Sequence, residues 1–258
     1  MTPLSRQVIF DLLEEKYRQY DLKSFIQDDP ISIPHLFNSK EDIEIASFLT
    51  TTIAWGRREQ IILNARKLVE WMDYSPYQFI ANHTKRDLGV FSKFYYRTFN
   101  GDDCIFFLHS LQNIYQNHNG LQGAFTSSAE NEFSLKEAII NFRNIFFELQ
   151  HMPRTQKHVS DPQKNSSCKR INLFLRWMVR KDGKGVDFGI WDHIKSSELI
   201  CPLDVHTSRV ARKLGLIKVK QDNWKAAVEL TQNLKRFDQD DPVKYDYALF
   251  CLGIIEKF

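Results

Sequence analysis

Apolar residues return every three or four positions through almost the whole chain, and only 10 Gly and 8 Pro among 258 residues interrupt them. That period belongs to helices with one buried face rather than to strands of alternating character. The expected class is therefore all-α. With 43% hydrophobic and 26% charged residues, the chain has the composition of a globular protein with a sizeable core, which excludes general disorder. Its length suits a single bilobal unit over residues 1–258.

Local signals mark individual elements. A first helix is expected from Leu4 to Tyr20, with Val8, Leu12 and Leu13 as its apolar stripe. Ser39 reads as the N-cap of a helix carrying Ile45, Phe48, Leu49 and Ile53, stopped at Gly56. A second helix, Glu59 to Met72, turns Ile62, Leu63, Leu68 and Val69 inward, so that WGRR forms the tip of a helical hairpin. The aromatic residues from Phe94 and Tyr95 to Phe147 recur at helical spacing and read as core. Residues 152–167 form a polar linker or surface loop. Further on, Asp222 reads as a cap for a helix reaching Leu234, and Asp241-Pro242 as the start of the last helix.

Several function classes drop out. Cys104, Cys168, Cys201 and Cys251 are far apart and form no Cys-x-x-Cys pair, so no metal site and no cofactor is expected. The N-terminal segment lacks the apolar core of a signal peptide and no run of about 18 apolar residues exists, which predicts a cytoplasmic protein with no membrane partner. A net charge of +3 permits a polyanionic partner without requiring one.

The charge is concentrated in CKRINLFLRWMVRKDGKG, where basic residues face a single acid, Asp182. Ile171, Phe174, Leu175 and Met178 fall on one helical face, and Lys169, Asn172, Arg176 and Arg180 on another. Ser166 and Ser167 are candidate N-caps, which puts Lys169 in the first turn. The positive end of the helix dipole disfavours a further positive charge there. A lysine so placed is a candidate amine nucleophile. In PLDVHTSRVARKLGL, Asp204 stands at an N-cap with Gly215 ending the helix. A carboxylate at that position is suited to stabilising positive charge in a transition state, while His206 and Arg209 lie just inside the same helix.

Pro202, Asp204, Val205 and His206 resemble the Pro-Val-Asp-x-His pattern of the helix-hairpin-helix DNA glycosylases, above all the 8-oxoguanine glycosylases of the archaeal branch. Together with AWGRR and DDPVKYDYALFCLGI, CKRINLFLRWMVR also resembles an uncharacterised bacterial family related to that superfamily. The resemblance implies a two-lobed helical fold with a cleft between the lobes and a helix-hairpin-helix-like segment at about 160–215. It implies Lys169 as nucleophile and Asp204 as its catalytic carboxylate. It further implies phosphate contacts from Ser166, Ser167, Arg170, Arg176, His206 and Arg209, and a base pocket lined by Trp55 and Phe250.

The implied function is excision of an oxidised purine such as 8-oxoguanine, flipped from double-stranded DNA, with abasic-site lyase activity, in the cytoplasm or at the nucleoid of a bacterium. The sequence departs from the superfamily at the hairpin. Where Leu-Pro-Gly-x-Gly is usual, this chain has Lys164-Asn165-Ser166-Ser167-Cys168. A non-catalytic nucleic-acid-binding protein that keeps the fold, and an RNA-directed protein, remain open as alternatives.

Overall fold

The computed structural model describes residues 4–126, 133–181 and 183–258; Asp182 lies outside them. The protein is mostly helical, as the periodicity predicts. Its α-helices are α1 (Arg6–Tyr20), α2 (Lys40–Thr52), α3 (Arg58–Glu70), α4 (Pro76–Asn82), α5 (Gly101–Asn117), α6 (Gly120–Ala124), α7 (Leu135–Phe146), α8 (Lys169–Val179), α9 (Val205–Lys213), α10 (Trp224–Leu234) and α11 (Tyr245–Ile254). Between α4 and α5 a two-residue strand β1 (Tyr95–Tyr96) pairs antiparallel with β2 (Phe99–Asn100). The chain divides into two compact units, one of residues 26–159 and one of residues 1–25 with 160–258.

The unit of residues 26–159 is built around α2, in which every residue from Ile43 to Thr52 is buried. A helix covered on all sides must satisfy its polar members internally. Thr51 donates its hydroxyl to Ser47 O at 2.9 Å, and Glu44 accepts from the Tyr115 hydroxyl at 2.7 Å. Ser39 caps α2 through its side chain, as expected. Phe48 packs against Phe107, Phe142 and Phe146 with ring centroids 5.4–5.9 Å apart, so the aromatic run is core. Tyr95 is the exception at 72% exposed. On a strand successive side chains take opposite faces, and Tyr96 holds the inner one. The inward face of α3 is Ile61, Ala65, Leu68 and Val69, while Leu63 points to solvent.

The other unit is built around α11, where Tyr245 to Leu249 and Cys251 to Gly253 are buried. α1 offers it Ile9 and Leu13, and Val8 is half exposed. Two expected caps differ. Asn223, one residue beyond the expected Asp222, caps α10; Asp222 instead accepts from Arg212 at 2.6 Å and Ser208 at 3.0 Å. Asp241 makes no cap bond, because its carboxylate accepts from Arg180. The span 160–215 holds α8 and α9 joined by residues 180–204, and the helix ahead of its loop is a 3-10 turn, Pro153–His158, rather than an α-helix. Among the described residues no helix is long and apolar enough to cross a membrane.

Candidate active site

α8 starts at Lys169 from an N-cap that neither serine provides. The cap is Cys168, in left-handed conformation at φ 52° and with no side-chain cap bond. The serines are used within the loop: Ser166 Oγ accepts from the Cys168 N–H at 3.2 Å, and Ser167 donates to Leu203 O at 3.4 Å. Asn165 is also left-handed, at φ 61°. A residue with a Cβ pays roughly 1–2 kcal/mol for that backbone, asparagine less than most.

Hydrogen bonds hold both turns in place. Asn165 N–H donates to Pro162 O and Ser166 N–H to Asp161 O, each at 3.2 Å, and Trp224 N–H reaches Asn165 O at 3.3 Å. The buried Asn172 amide donates to Ser167 O at 3.0 Å. The loop thus takes glycine-like backbone angles twice without a glycine.

Ser167 joins this loop to the segment before α9, which brings two helix starts together. Asp204 is the N-cap of α9, and its Oδ1 accepts from both His206 N–H and Thr207 N–H at 2.8 Å. That fixes the carboxylate and leaves Oδ2 turned to Lys169, whose Nζ lies 3.4 Å away. The lysine side chain is 31% exposed and the aspartate 13%. A partly exposed amine beside a carboxylate held by two backbone N–H groups is an arrangement suited to nucleophilic attack with electrostatic support.

The other expected site residues are placed as follows. Arg209 is exposed and donates to Gly253 O at 2.7 Å. His206 is half-buried, and its Cβ lies 3.0 Å from where a Cβ on Gly253 would stand, so that glycine permits the close approach of α9 to α11. Arg170 and Phe250 are half-buried in this unit, and Trp55 is half-buried in the other, against Tyr96 at 5.6 Å and His158 at 6.3 Å.

Arg176 corrects the sequence reading. It is 4% exposed, with Nε 3.3 Å from Asp187 and Nη1 2.5 Å from Asp246, so it is a core residue and not a phosphate contact. Arg180 is fully buried among Asp187 at 3.0 Å, Asp241 at 2.8 Å, Asp21 at 3.3 Å and the Tyr17 hydroxyl at 2.9 Å. Both guanidinium groups also lie over the Tyr247 ring, at 4.2 and 5.4 Å.

The segment after α8 delivers one of these acids. Phe188 N–H donates to Trp177 O and Trp191 N–H to Met178 O, closing the end of α8 and setting Asp187 against both arginines. Gly189, at φ 58°, lets it lie where a Cβ would stand 2.7 Å from the Lys181 side chain. Of these acids the sequence singled out only Asp241, as a helix start, and none as a partner of the arginines. The available signal was a charged residue, Asp246, inside the apolar run YDYALFCLG.

Burial pushes the Asp246 carboxyl up to about 7, against the pull of Arg176. Burial likewise raises Asp241, against Arg180. An unfolded aspartate gives up its proton near pH 3.9, so from about pH 4 to 7 native Asp246 keeps a proton that the unfolded chain has lost, and stability falls as pH rises. Between pH 5.5 and 7 this group should remove about 2 kcal/mol. Glu14 and Asp238 act in the opposite sense: Lys244 lowers both despite burial, and their stabilisation is lost only under more acidic conditions. His83 and His109, both lowered by burial, add stability over the same interval, so the effect is read as a difference: urea titrations at both pH values should show wild type losing stability relative to Asp246→Asn as pH rises, and a difference that does not change with pH would contradict the account.

These features define a mainly helical protein with a lysine–aspartate pair at the starts of two helices. The chain belongs to the family described as protein of unknown function (DUF2400), which matches residues 29–255 and so takes in Lys169, Asp204 and Asp246. No curated protein and no solved structure matches the chain. Among the described residues no group of three or more His, Cys, Asp or Glu is arranged to hold a metal ion.

Proposed function

We propose that the chain is a DNA base-excision glycosylase with abasic-site lyase activity, acting on an oxidised purine such as 8-oxoguanine flipped out of double-stranded DNA. The observation that carries this reading is the 3.4 Å approach of the Lys169 amine to the Asp204 carboxylate, with Asp204 locked by two backbone N–H groups. Binding alone requires no such pair. The same reading assigns the chain the helix-hairpin-helix glycosylase architecture, and a place in the cytoplasm, at the nucleoid if the source is bacterial.

In the reaction the neutral Lys169 amine attacks the sugar C1′ as the bond to the base breaks. The base leaves with the bonding electrons and takes up a proton, and Asp204 opposes the positive charge on the sugar. The added amine gives up a proton and the ring oxygen O4′ takes one as the ring opens to the Schiff base; loss of the C2′ proton then expels the 3′ phosphate. Arg209, Arg170 and His206 supply phosphate contacts, so affinity falls with salt.

Borohydride trapping on duplexes containing 8-oxoguanine, other damaged purines or a preformed abasic site tests this. The expected result is a covalent protein–DNA adduct. Asp204→Asn keeps the cap and should slow trapping on the damaged base by roughly 100- to 1000-fold, with a much smaller loss on the abasic duplex, where no base has to depart. Duplex binding with no adduct on any substrate would overturn catalysis in favour of a non-catalytic nucleic-acid-binding protein.

A further inference from the structure

In the unit of residues 26–159 three segments meet: the tip between α2 and α3 (54–58), the β1–β2 hairpin with the turn before it (91–100), and the turn Pro153–His158. The Tyr96 hydroxyl donates to Trp55 O at 2.8 Å, Arg154 Nη2 donates to Thr98 O at 3.1 Å, and the Trp55 and His158 rings lie 6.3 Å apart. The three segments together carry six lysines and arginines and no acidic residue. Two of the six serve the fold: Arg58 is 3.7 Å from Asp29, and Arg154 is 3.0 Å from the buried Asp103. Arg57, Lys93, Arg97 and Lys157 are exposed, Arg57 with Glu59 at 3.9 Å.

Burial alternates from Lys93 to Arg97. Phe94 and Tyr96 are buried, while Lys93, Tyr95 and Arg97 face water. The outer row is therefore cation, aromatic ring, cation, with Phe94 extended between the first two and about 6–7 Å of chain to each step. Among the described residues Tyr95 is the most exposed large hydrophobic side chain. Arg97 lies in the two-residue hairpin turn with left-handed backbone at φ 55°, where stability alone favours glycine or asparagine. Its guanidinium rests on Gly56, since a Cβ there would stand 2.5 Å from Nη1, so the tip between α2 and α3 fixes where this cation stands.

We propose that this face binds single-stranded DNA, with the Tyr95 ring stacked on an unpaired base and Lys93, Arg97 and Arg57 meeting the phosphates around it. The partner follows from the chemistry of the surface. A row of cations without acids complements a chain that carries a negative charge at every nucleotide. An aromatic ring open to water takes any unpaired base through its π-face, without sequence choice. Duplex DNA keeps its bases in its own stack and offers none to the ring, and the core of a protein–protein interface is depleted of charge rather than flanked by it. Only the choice of DNA over RNA rests on the DNA-directed reading of Lys169 and Asp204.

The full chain is titrated into a fluorescent oligothymidylate of about 15 nucleotides, and anisotropy is followed at several salt concentrations. The probe has no purine, no damaged base and no abasic site, so this result and the trapping result stand or fall separately. Wild type should bind, more weakly as salt rises. Tyr95→Ala should weaken binding about 5- to 100-fold with the same salt dependence, and Tyr95→Phe, which keeps the ring, should bind as wild type does. The double variant Lys93→Gln, Arg97→Gln should flatten the slope of log affinity against log salt by about 1.4. These positions are exposed, so each variant should melt with wild type. A wild type that does not bind, or Tyr95→Ala binding as tightly as wild type, overturns the proposal. Tighter binding of oligouridylate with the same dependence on Tyr95 would make RNA the partner and overturn the choice of DNA.

Discussion

Lys169→Gln should give no borohydride adduct with any duplex while melting within about 1 kcal/mol of wild type. Loss of the amine removes the only atom that the proposed chemistry bonds to the sugar, so the effect on trapping is complete. The fold loses little. A partly exposed ion pair contributes about 0–1 kcal/mol, and Asp204 keeps both backbone N–H partners without the lysine. Lys169 also stands at the end of α8 where the helix dipole opposes it, so its removal relieves one unfavourable interaction. Adduct formation by the variant would show that another amine is trapped, and the role given to Lys169 would fall.

Arg180→Met should do the reverse, disabling the fold without touching the pair. Its guanidinium is fully buried and faces three carboxylates and a tyrosine hydroxyl. Removing one partner from such a cluster leaves buried charge uncompensated, at a cost of about 3–5 kcal/mol. Set against a total stability of roughly 5–15 kcal/mol, this is enough to leave the unit of α1 and α8–α11 marginal. Arg180→Lys should also lose stability, because an ammonium cannot present donors in the planar fork that meets Asp241 and Asp187 together. Denaturant titration reads both, and a Met variant within about 1 kcal/mol of wild type would refute the caged-arginine account.

The contrast between the two substitutions shows where the sequence was readable. Asp204 could be recognised because capping is local: a carboxylate two and three residues ahead of the N–H groups it accepts, with Pro202 before it and Gly215 after the helix. Taking Ser166 or Ser167 as the cap places Lys169 in the first turn of α8; the helix does start there, with Cys168 as its cap. Arg176 and Arg180 read as members of a basic helix face, Arg176 as a phosphate contact, since nothing within their own helix neutralises them. Their partners come from Asp21, Asp187, Asp241 and Asp246, as far as 159 residues away, and no short-range rule connects those positions.

The loop ahead of α8 was misread for a related reason. Glycine is the ordinary signal for left-handed backbone, and here Asn165 and Cys168 adopt it under the hold of Asp161, Pro162 and Trp224. The cap bonds expected of Asp222 and Asp241 failed through competition. Asp222 and Asp241 are good cap residues by type, and each was drawn instead to an arginine.

The two-unit division also fixes an order of events during synthesis. Residues 26–159 are one continuous stretch, complete as soon as it has left the ribosome, and domains fold as units while translation proceeds. α1 emerges before them and then waits. Tyr17 and Asp21 meet no Arg180 until some 160 further residues have been made, and the α11 surface that covers Ile9 and Leu13 is translated later still. For that interval a nascent chain carries the apolar stripe of an amphipathic helix and an acid destined for burial, both open to water, so the first helix is a segment that a chaperone could hold.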